Sequence, residues 1–228
     1  MRFGKLFLDS WKDYKNNFNV FFKLFFIFAF IPSFIFFTLN YYEKGIVSII
    51  FLILLFFLNI FMITSFIHLS LSKKKNFKEA ISGGKKYFFK YFWFVIIESI
   101  FLIGLFFLLI IPGIIFYVYW IVAPYVLLNE KKGVLKSLNR SYNLIKKKWW
   151  KTLGYGLLML LIVLGISFIF SAFTMVVNLF IDPLYLQNLE NPLFLTSFIS
   201  QIFQLGSELI ITPLVILFFK NFYFSIKK

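Results

Sequence analysis

The sequence predicts an all-α, polytopic transmembrane helical bundle: six spans forming three hairpins, each preceded by an amphipathic interfacial helix, in one membrane domain over residues 1–228. Three observations predict it. Hydrophobic residues make up 61% of the chain, against roughly 45–50% in soluble domains. The surplus is Phe, Ile and Leu in long unbroken runs, more apolar surface than a globular core of this size hides. Those runs have the length of a bilayer crossing, ~20 residues. Finally, all but one of the 24 basic residues fall on the same side when the chain is threaded six times, the asymmetry that marks cytoplasmic segments.

The first span, 18–39, follows MRFGKLFLDSWKDYKNN, which lacks the early apolar stretch and small-residue cleavage site of a secretory signal. The second, 46–71, comes after a connection whose single basic residue is Lys44. The third apolar run, 92–128, would be about 55 Å long as one helix, well beyond a bilayer. Pro112-Gly113 lies inside it and is a strong turn signal, so the run divides into spans at 92–111 and 114–129. A re-entrant hairpin over 92–129 returns the chain to the same side and satisfies the charge pattern equally. Spans 153–180 and 194–219 complete the set. The division leaves seven lysines between 73 and 90 and eight basic residues between 131 and 151 beside both termini. The positive-inside rule makes that side cytoplasmic, and the expected location is the plasma membrane of a prokaryote. Pro32, Pro124 and Pro213 are expected to kink spans one, four and six, and Gly154, Gly156 and Gly165 to allow close helix approach in span five.

Each basic segment carries an apolar stripe at helical spacing: Phe7, Trp11, Tyr14 and Phe18; Phe77, Ile81, Gly84 and Phe88; Leu138, Tyr142, Ile145 and Trp149. Gly84 alone breaks the pattern. Helices of this kind lie in the interface with their lysines toward anionic headgroups, which makes Lys85, Lys86, Lys136, Arg140, Lys146, Lys147 and Lys148 candidate headgroup contacts. Each basic residue at such a surface contributes about 1 kcal/mol. The net charge of +15 would suggest nucleic acid in a soluble protein. Gathered at the margins of spans it points to membrane lipids, with no nucleic-acid partner expected.

Two spans carry polar stripes. Span five has Ser167, Ser171, Thr174 and Asn178; span six has Ser197, Gln201, Gln204, Glu208 and Thr212. Polar groups in hydrocarbon turn toward protein, so the stripes are expected face to face in the outer half of the membrane, with Gln204 one turn from Glu208 and Ser167 nearest it in depth. Helix–helix hydrogen bonding is the ordinary use of such residues; a polar cavity or headgroup groove is the alternative. Lys23 and Glu98, at similar depths, form a candidate ion pair. His68 lies near a span end, where snorkelling accounts for it.

Catalytic chemistry finds little to work with. The chain has no cysteine and one histidine, too few for a zinc or iron site built on His and Cys or for a serine triad. No catalytic residue, metal or cofactor is expected.

The stretch LLIIPGIIFYVYWIVAPYVLLNEKKGVLKSLNRSYNLIKKKWWKTLG, residues 108–154, resembles a prokaryotic six-span family named after the membrane domain that accompanies some glycerophosphoryl diester phosphodiesterases. Pro112-Gly113, Trp120, Pro124, Glu130, Gly133, Ser141-Tyr142 and Trp149-Trp150 carry the likeness. Lys146–Lys148 replace the glycine usual there. The resemblance implies six helices and no catalysis by this domain, the hydrolase of the fused members being a separate soluble barrel. The leading expectation is therefore a non-enzymatic membrane protein that organises lipid or recruits a partner through its basic helices. A small transporter or lipid-handling protein working around Glu208 is the alternative, and a membrane-embedded enzyme the third.

Overall fold

A computed structural model describes residues 2–42, 45–108, 110–187 and 193–227; Lys44 and Glu190 lie outside the described residues. Six of its helical segments are long and apolar enough to cross a membrane, and no strand occurs among the described residues. The protein is a multi-pass α-helical membrane protein. Its basic segments and both chain ends gather at one end of the bundle, referred to below as the basic end.

Helix α1 (Phe3–Asn16) stops at Asn17, whose side-chain amide donates to the Asp13 carbonyl at 2.7 Å, and α2 (Phe18–Phe25) starts the first span. A π-helical turn at Phe26–Phe30 precedes α3 (Ile31–Tyr42). It sits immediately before Pro32, whose ring excludes an ordinary bond to the carbonyl four residues back, and the extra residue of a π turn is a common way to absorb such a break.

Helix α4 (Ile46–Leu71) is exposed along its first half, the surface lipid would cover, and buried from Ile60 to Ser70. It packs on α5 (Phe77–Leu108) through Gly83 and Gly84. A Cβ at Gly83 would overlap the His68 ring, and one at Gly84 would overlap the Ser65 hydroxyl. Gly84 thus breaks the apolar stripe because a backbone must pass there. His68 faces this contact rather than snorkelling, with Nε2 4.0 Å from the Glu79 carboxylate. The second amphipathic segment is no separate element. It forms the first turns of α5, so this span's helix starts at Phe77 rather than 92. Lipid offers no hydrophobic drive between helices, so close van der Waals approach of this kind holds them together.

The third apolar run does divide, slightly earlier than Pro112. Helix α6 (Ile110–Trp120) already contains Pro112 in its first turn, where a proline has no intrahelical bond to lose. Gly113 packs under the Phe106 ring. The fourth span then breaks at Ile121-Val122 and resumes as α7 (Ala123–Asn129) with Pro124 at its start. Tyr125, Val126, Leu127 and Leu128 are all buried, which makes α7 the centre of the basic end. Helix α8 (Val134–Ile145) lies across it, and α9 (Trp149–Ile181) and α10 (Phe194–Lys227) close the bundle as an antiparallel pair.

Pro213 interrupts α10 with a visible compensation. It has no N–H for the Leu209 carbonyl, and the buried Tyr14 hydroxyl of α1 donates to that carbonyl at 3.3 Å. Lys220, also buried, reaches Asp13 at 2.7 Å, and Asn221 donates to the Ser10 hydroxyl at 2.9 Å. Helix α1 therefore spends its inner face, Leu6, Ser10 and Tyr14, on α10 rather than on lipid. Packing is lopsided along the membrane normal. The basic end is a true core containing Phe21, Phe66, Phe94, Phe218 and Tyr223, while the most apolar stretch of α9 buries no residue. Gly154, Gly156 and Gly165 meet nothing within 4 Å of a built Cβ; they do not mediate the close approach expected of them, because α9 lies at the periphery.

Candidate functional site

Two regions collect the polar chemistry, one at each end. Away from the basic end, α9 and α10 part to leave a cleft of about 610 Å³. Ser167, Ser171 and Thr174 line it from α9, and Gln204 and Glu208 from α10, with Tyr185 from the connection. The two stripes face each other because both helices keep one polar residue every turn and run antiparallel. Gln201 is not on this wall; Ser200 and Ser207 are. Gln201 belongs to the stripe by its spacing from Gln204 and Glu208, but the cleft is centred on the adjoining face that carries residues 200, 204, 207 and 211, with Glu208 at its edge. Gln204 donates to Glu208 at 3.4 Å, a long bond.

Three hydroxyls of this cleft send their protons into their own helices. Thr174 donates to the Phe170 carbonyl at 2.8 Å, Ser200 to Thr196 at 2.8 Å and Ser207 to Gln204 at 2.7 Å. Asn178, deeper in the interface, donates to Ser200 at 2.9 Å.

At the basic end, Glu130 closes α7 and is the centre of a charged cluster. Its carboxylate accepts the Tyr223 hydroxyl at 2.9 Å and lies 2.7 Å from Lys132, 3.3 Å from Lys227 and 3.6 Å from the Arg140 Nε. Asn129 donates to the Tyr223 oxygen at 3.1 Å. Lys131, at φ 53°, takes the left-handed conformation that turns Lys132 back onto Glu130, at the ~1–2 kcal/mol such a residue costs. Partial burial alone would raise the Glu130 pKa; hydrogen bonds from Lys132, Tyr223 and Lys227 outweigh it and hold the carboxyl at about 2. Arg140 thus has its Nε turned toward Glu130, with its side chain 39% exposed.

The remaining basic residues of this region are unpaired. Lys146, Lys147 and Lys148 have no carboxylate within ion-pair distance among the described residues, and together with Lys151, Tyr119, Trp149 and Trp150 they line a cleft of about 480 Å³ at the start of α9. Trp149 is fixed by its indole N–H, which donates to the Ile115 carbonyl at 3.3 Å. Trp150 is 79% exposed. The base of the cleft is set by Ser141, whose hydroxyl donates to the Tyr119 carbonyl at 2.6 Å. Lys85, Lys86 and Lys136 are exposed.

Lys23 and Glu98 do not pair. No ion pair joins them: Lys23 is exposed beside buried Phe21 and Leu24, while Glu98 lies within electrostatic reach of the Tyr91 and Tyr117 phenols. Matching depth did not imply matching azimuth.

Six apolar helices, a basic end with a packed core and an open polar cleft at the other end define a multi-pass membrane protein. A family model described as "Domain of unknown function (DUF7847)" matches residues 40–225, and the chain belongs to that family. No curated protein and no solved structure matches it.

Proposed function

We propose that this is a non-enzymatic protein of a prokaryotic plasma membrane that organises anionic lipid, or recruits a partner, through its basic end, which faces the cytoplasm with both termini. One observation carries this reading: Lys146, Lys147, Lys148 and Lys151 surround two indoles at a span's start without any carboxylate to neutralise them. Two acidic groups at this end are already taken, Glu130 by Lys132, Arg140 and Lys227, and Asp13 by Lys220. A lipid phosphate supplies the missing negative charge, and Trp rings favour the headgroup level. The lysines contribute about 1 kcal/mol each against an anionic surface. The likeness of residues 108–154 to the phosphodiesterase membrane-domain family agrees with a role that needs no hydrolase.

The test uses the full chain in nanodiscs of mixed phosphatidylglycerol and phosphatidylcholine, with the lipid retained on extraction measured by mass spectrometry. Phosphatidylglycerol is expected to be enriched, less so at high salt, and Lys146→Gln/Lys147→Gln/Lys148→Gln is expected to lose most of the enrichment. Equal retention of both lipids would end the proposal. Orientation is checked separately with single cysteines. Those replacing Lys74, Lys147 and Lys227 label from the cytoplasm, those replacing Lys44 and Asn188 from outside, and a cytoplasmic position 188 refutes the six-span threading.

A further inference from the structure

The cleft between α9 and α10 is an uncommon object for a membrane interior: polar, open, and chemically one-sided. Among the described residues, no Lys, Arg or His lines it. Thr174, Ser200 and Ser207 have already given their protons to backbone carbonyls, so what their oxygens offer the cavity is lone pairs. Glu208 adds a carboxyl group whose one hydrogen bond, from Gln204, is 3.4 Å long. One N–H of the Gln204 amide is committed to this bond. Side-chain oxygens thus gather around an acid that no basic residue among the described lining residues offsets.

We infer that this cleft is a binding site for a primary ammonium group. Such a group carries three N–H donors and no acceptor, the complement of this lining, and its charge offsets that of Glu208 through short charge-assisted bonds. An anion would meet the Glu208 carboxyl with no basic residue among the described lining residues to offset it. A quaternary ammonium matches the charge but brings no N–H. Phe170, Met175 and Ile211 share the lining, so an alkyl portion has apolar surface to lie on. The volume, about 610 Å³, falls in the range of small-molecule sites, roughly 300–1,000 Å³. Glu208 lies 12 residues before Lys220 on the same helix, about 18 Å along its axis. The site thus opens toward the end opposite the basic helices and reaches about half-way through the membrane. The ammonium arrives either as the headgroup of an ethanolamine lipid from that leaflet or as a free small amine. This proposal stands apart from the anionic-lipid reading, which concerns the other end of the bundle.

The full-length protein in non-ionic detergent is presented with equimolar dioleoyl phosphatidylethanolamine and dioleoyl phosphatidylcholine, and bound lipid is counted by native mass spectrometry. In parallel, thermal unfolding is followed by tryptophan emission with ethylamine and, as control, tetramethylammonium. If a headgroup is the ligand, phosphatidylethanolamine adducts exceed phosphatidylcholine adducts by about tenfold, the discrimination 1.4 kcal/mol supplies. If a free amine is the ligand, ethylamine alone raises the unfolding temperature and the two lipids bind equally. Glu208→Gln abolishes whichever effect the wild type shows. Ser171→Val, an exposed position on the facing wall, weakens the effect without touching Glu208 and serves if Glu208→Gln does not fold. Absence of both discriminations in the wild type, or an undiminished effect in folded Glu208→Gln, overturns the proposal.

Discussion

Replacing Glu130 by Gln is expected to destabilise the basic end by about 2 kcal/mol at neutral pH. An ordinary glutamate pKa of 4.5 is brought to about 2 here, and at 1.36 kcal/mol per pH unit this bounds the carboxylate's contribution at about 3 kcal/mol. Summing the bonds gives a similar figure. The Tyr223 hydroxyl on a charged acceptor contributes about 1.5–3 kcal/mol. Lys132, Arg140 and Lys227 have side chains 38%, 39% and 35% exposed, so each pair adds only about 0.2–1 kcal/mol. Gln retains an oxygen for Tyr223 and loses the charge, hence about 2 rather than 3 kcal/mol by the same increments. The folded-state carboxyl titrates below the unfolded one. Its stabilisation is therefore complete above about pH 4.5 and is lost as pH falls toward 2. The assay is reversible unfolding by sodium dodecyl sulfate in mixed micelles, read by tryptophan fluorescence, at pH 7 and between pH 4.5 and 2.5. Wild type should lose stability across the acid window by about 2 kcal/mol more than Glu130→Gln. A variant within 0.5 kcal/mol of wild type at pH 7, or parallel acid profiles, refutes the assigned role.

Gly83→Ala and Gly84→Ala should each cost about 1–3 kcal/mol through overpacking on His68 and Ser65, whereas Gly165→Ala, with open space around it, should gain up to about 1 kcal/mol from helix propensity; the same detergent unfolding curves decide, and a neutral Gly84→Ala would deny the close α4–α5 contact. Tyr14→Phe should cost about 0.5–1.5 kcal/mol in the wild type and close to nothing in Pro213→Ala, where a restored N–H satisfies Leu209. Additive effects in that double-mutant cycle would contradict the pairing. Burial first, then the nearby Lys220 charge, lowers the Lys75 pKa to about 8, with Asp13 opposing. An amine depressed in the folded state makes stability rise with pH between about 8 and 10.5, and Lys75→Met should lack that rise.

Span number and approximate placement were legible because the signal is additive: a run of apolar residues long enough to cross needs no knowledge of its neighbours. The facing stripes of α9 and α10 were legible for a related reason, since a polar face in lipid has few places to turn. Gln201 lies only about 20° round the helix from Glu208, so spacing alone carries it to the edge of the cleft, and the lining stops at Glu208. What could not be read was azimuth between elements distant in sequence. Lys23 and Glu98 match in depth only, and nothing in the chain near Glu130 announces Tyr223, 93 residues away. A basic residue looks the same in sequence whether it stands exposed with no acid beside it, as Lys146 does, or turns toward an acid, as Arg140 does. Gly84 did leave a trace, as the sole defect in an apolar stripe, but it was legible as a contact only once α4 was seen against it.

The unequal packing of the bundle has a consequence for how the protein is handled. Around α7 the helices are bound to one another by side chains, so that end carries its own solvent-excluding shell. Around the half of α9 away from the basic end no such shell exists, and Leu161, Leu164, Phe168 and Ile169 are each more than half exposed. There the bilayer completes the fold, its acyl chains filling the role that a neighbouring helix fills elsewhere. Stripping lipid should therefore loosen the molecule first at the end opposite the basic one, and amide exchange in detergent should accelerate first along residues 160–176 while residues 123–128 stay protected.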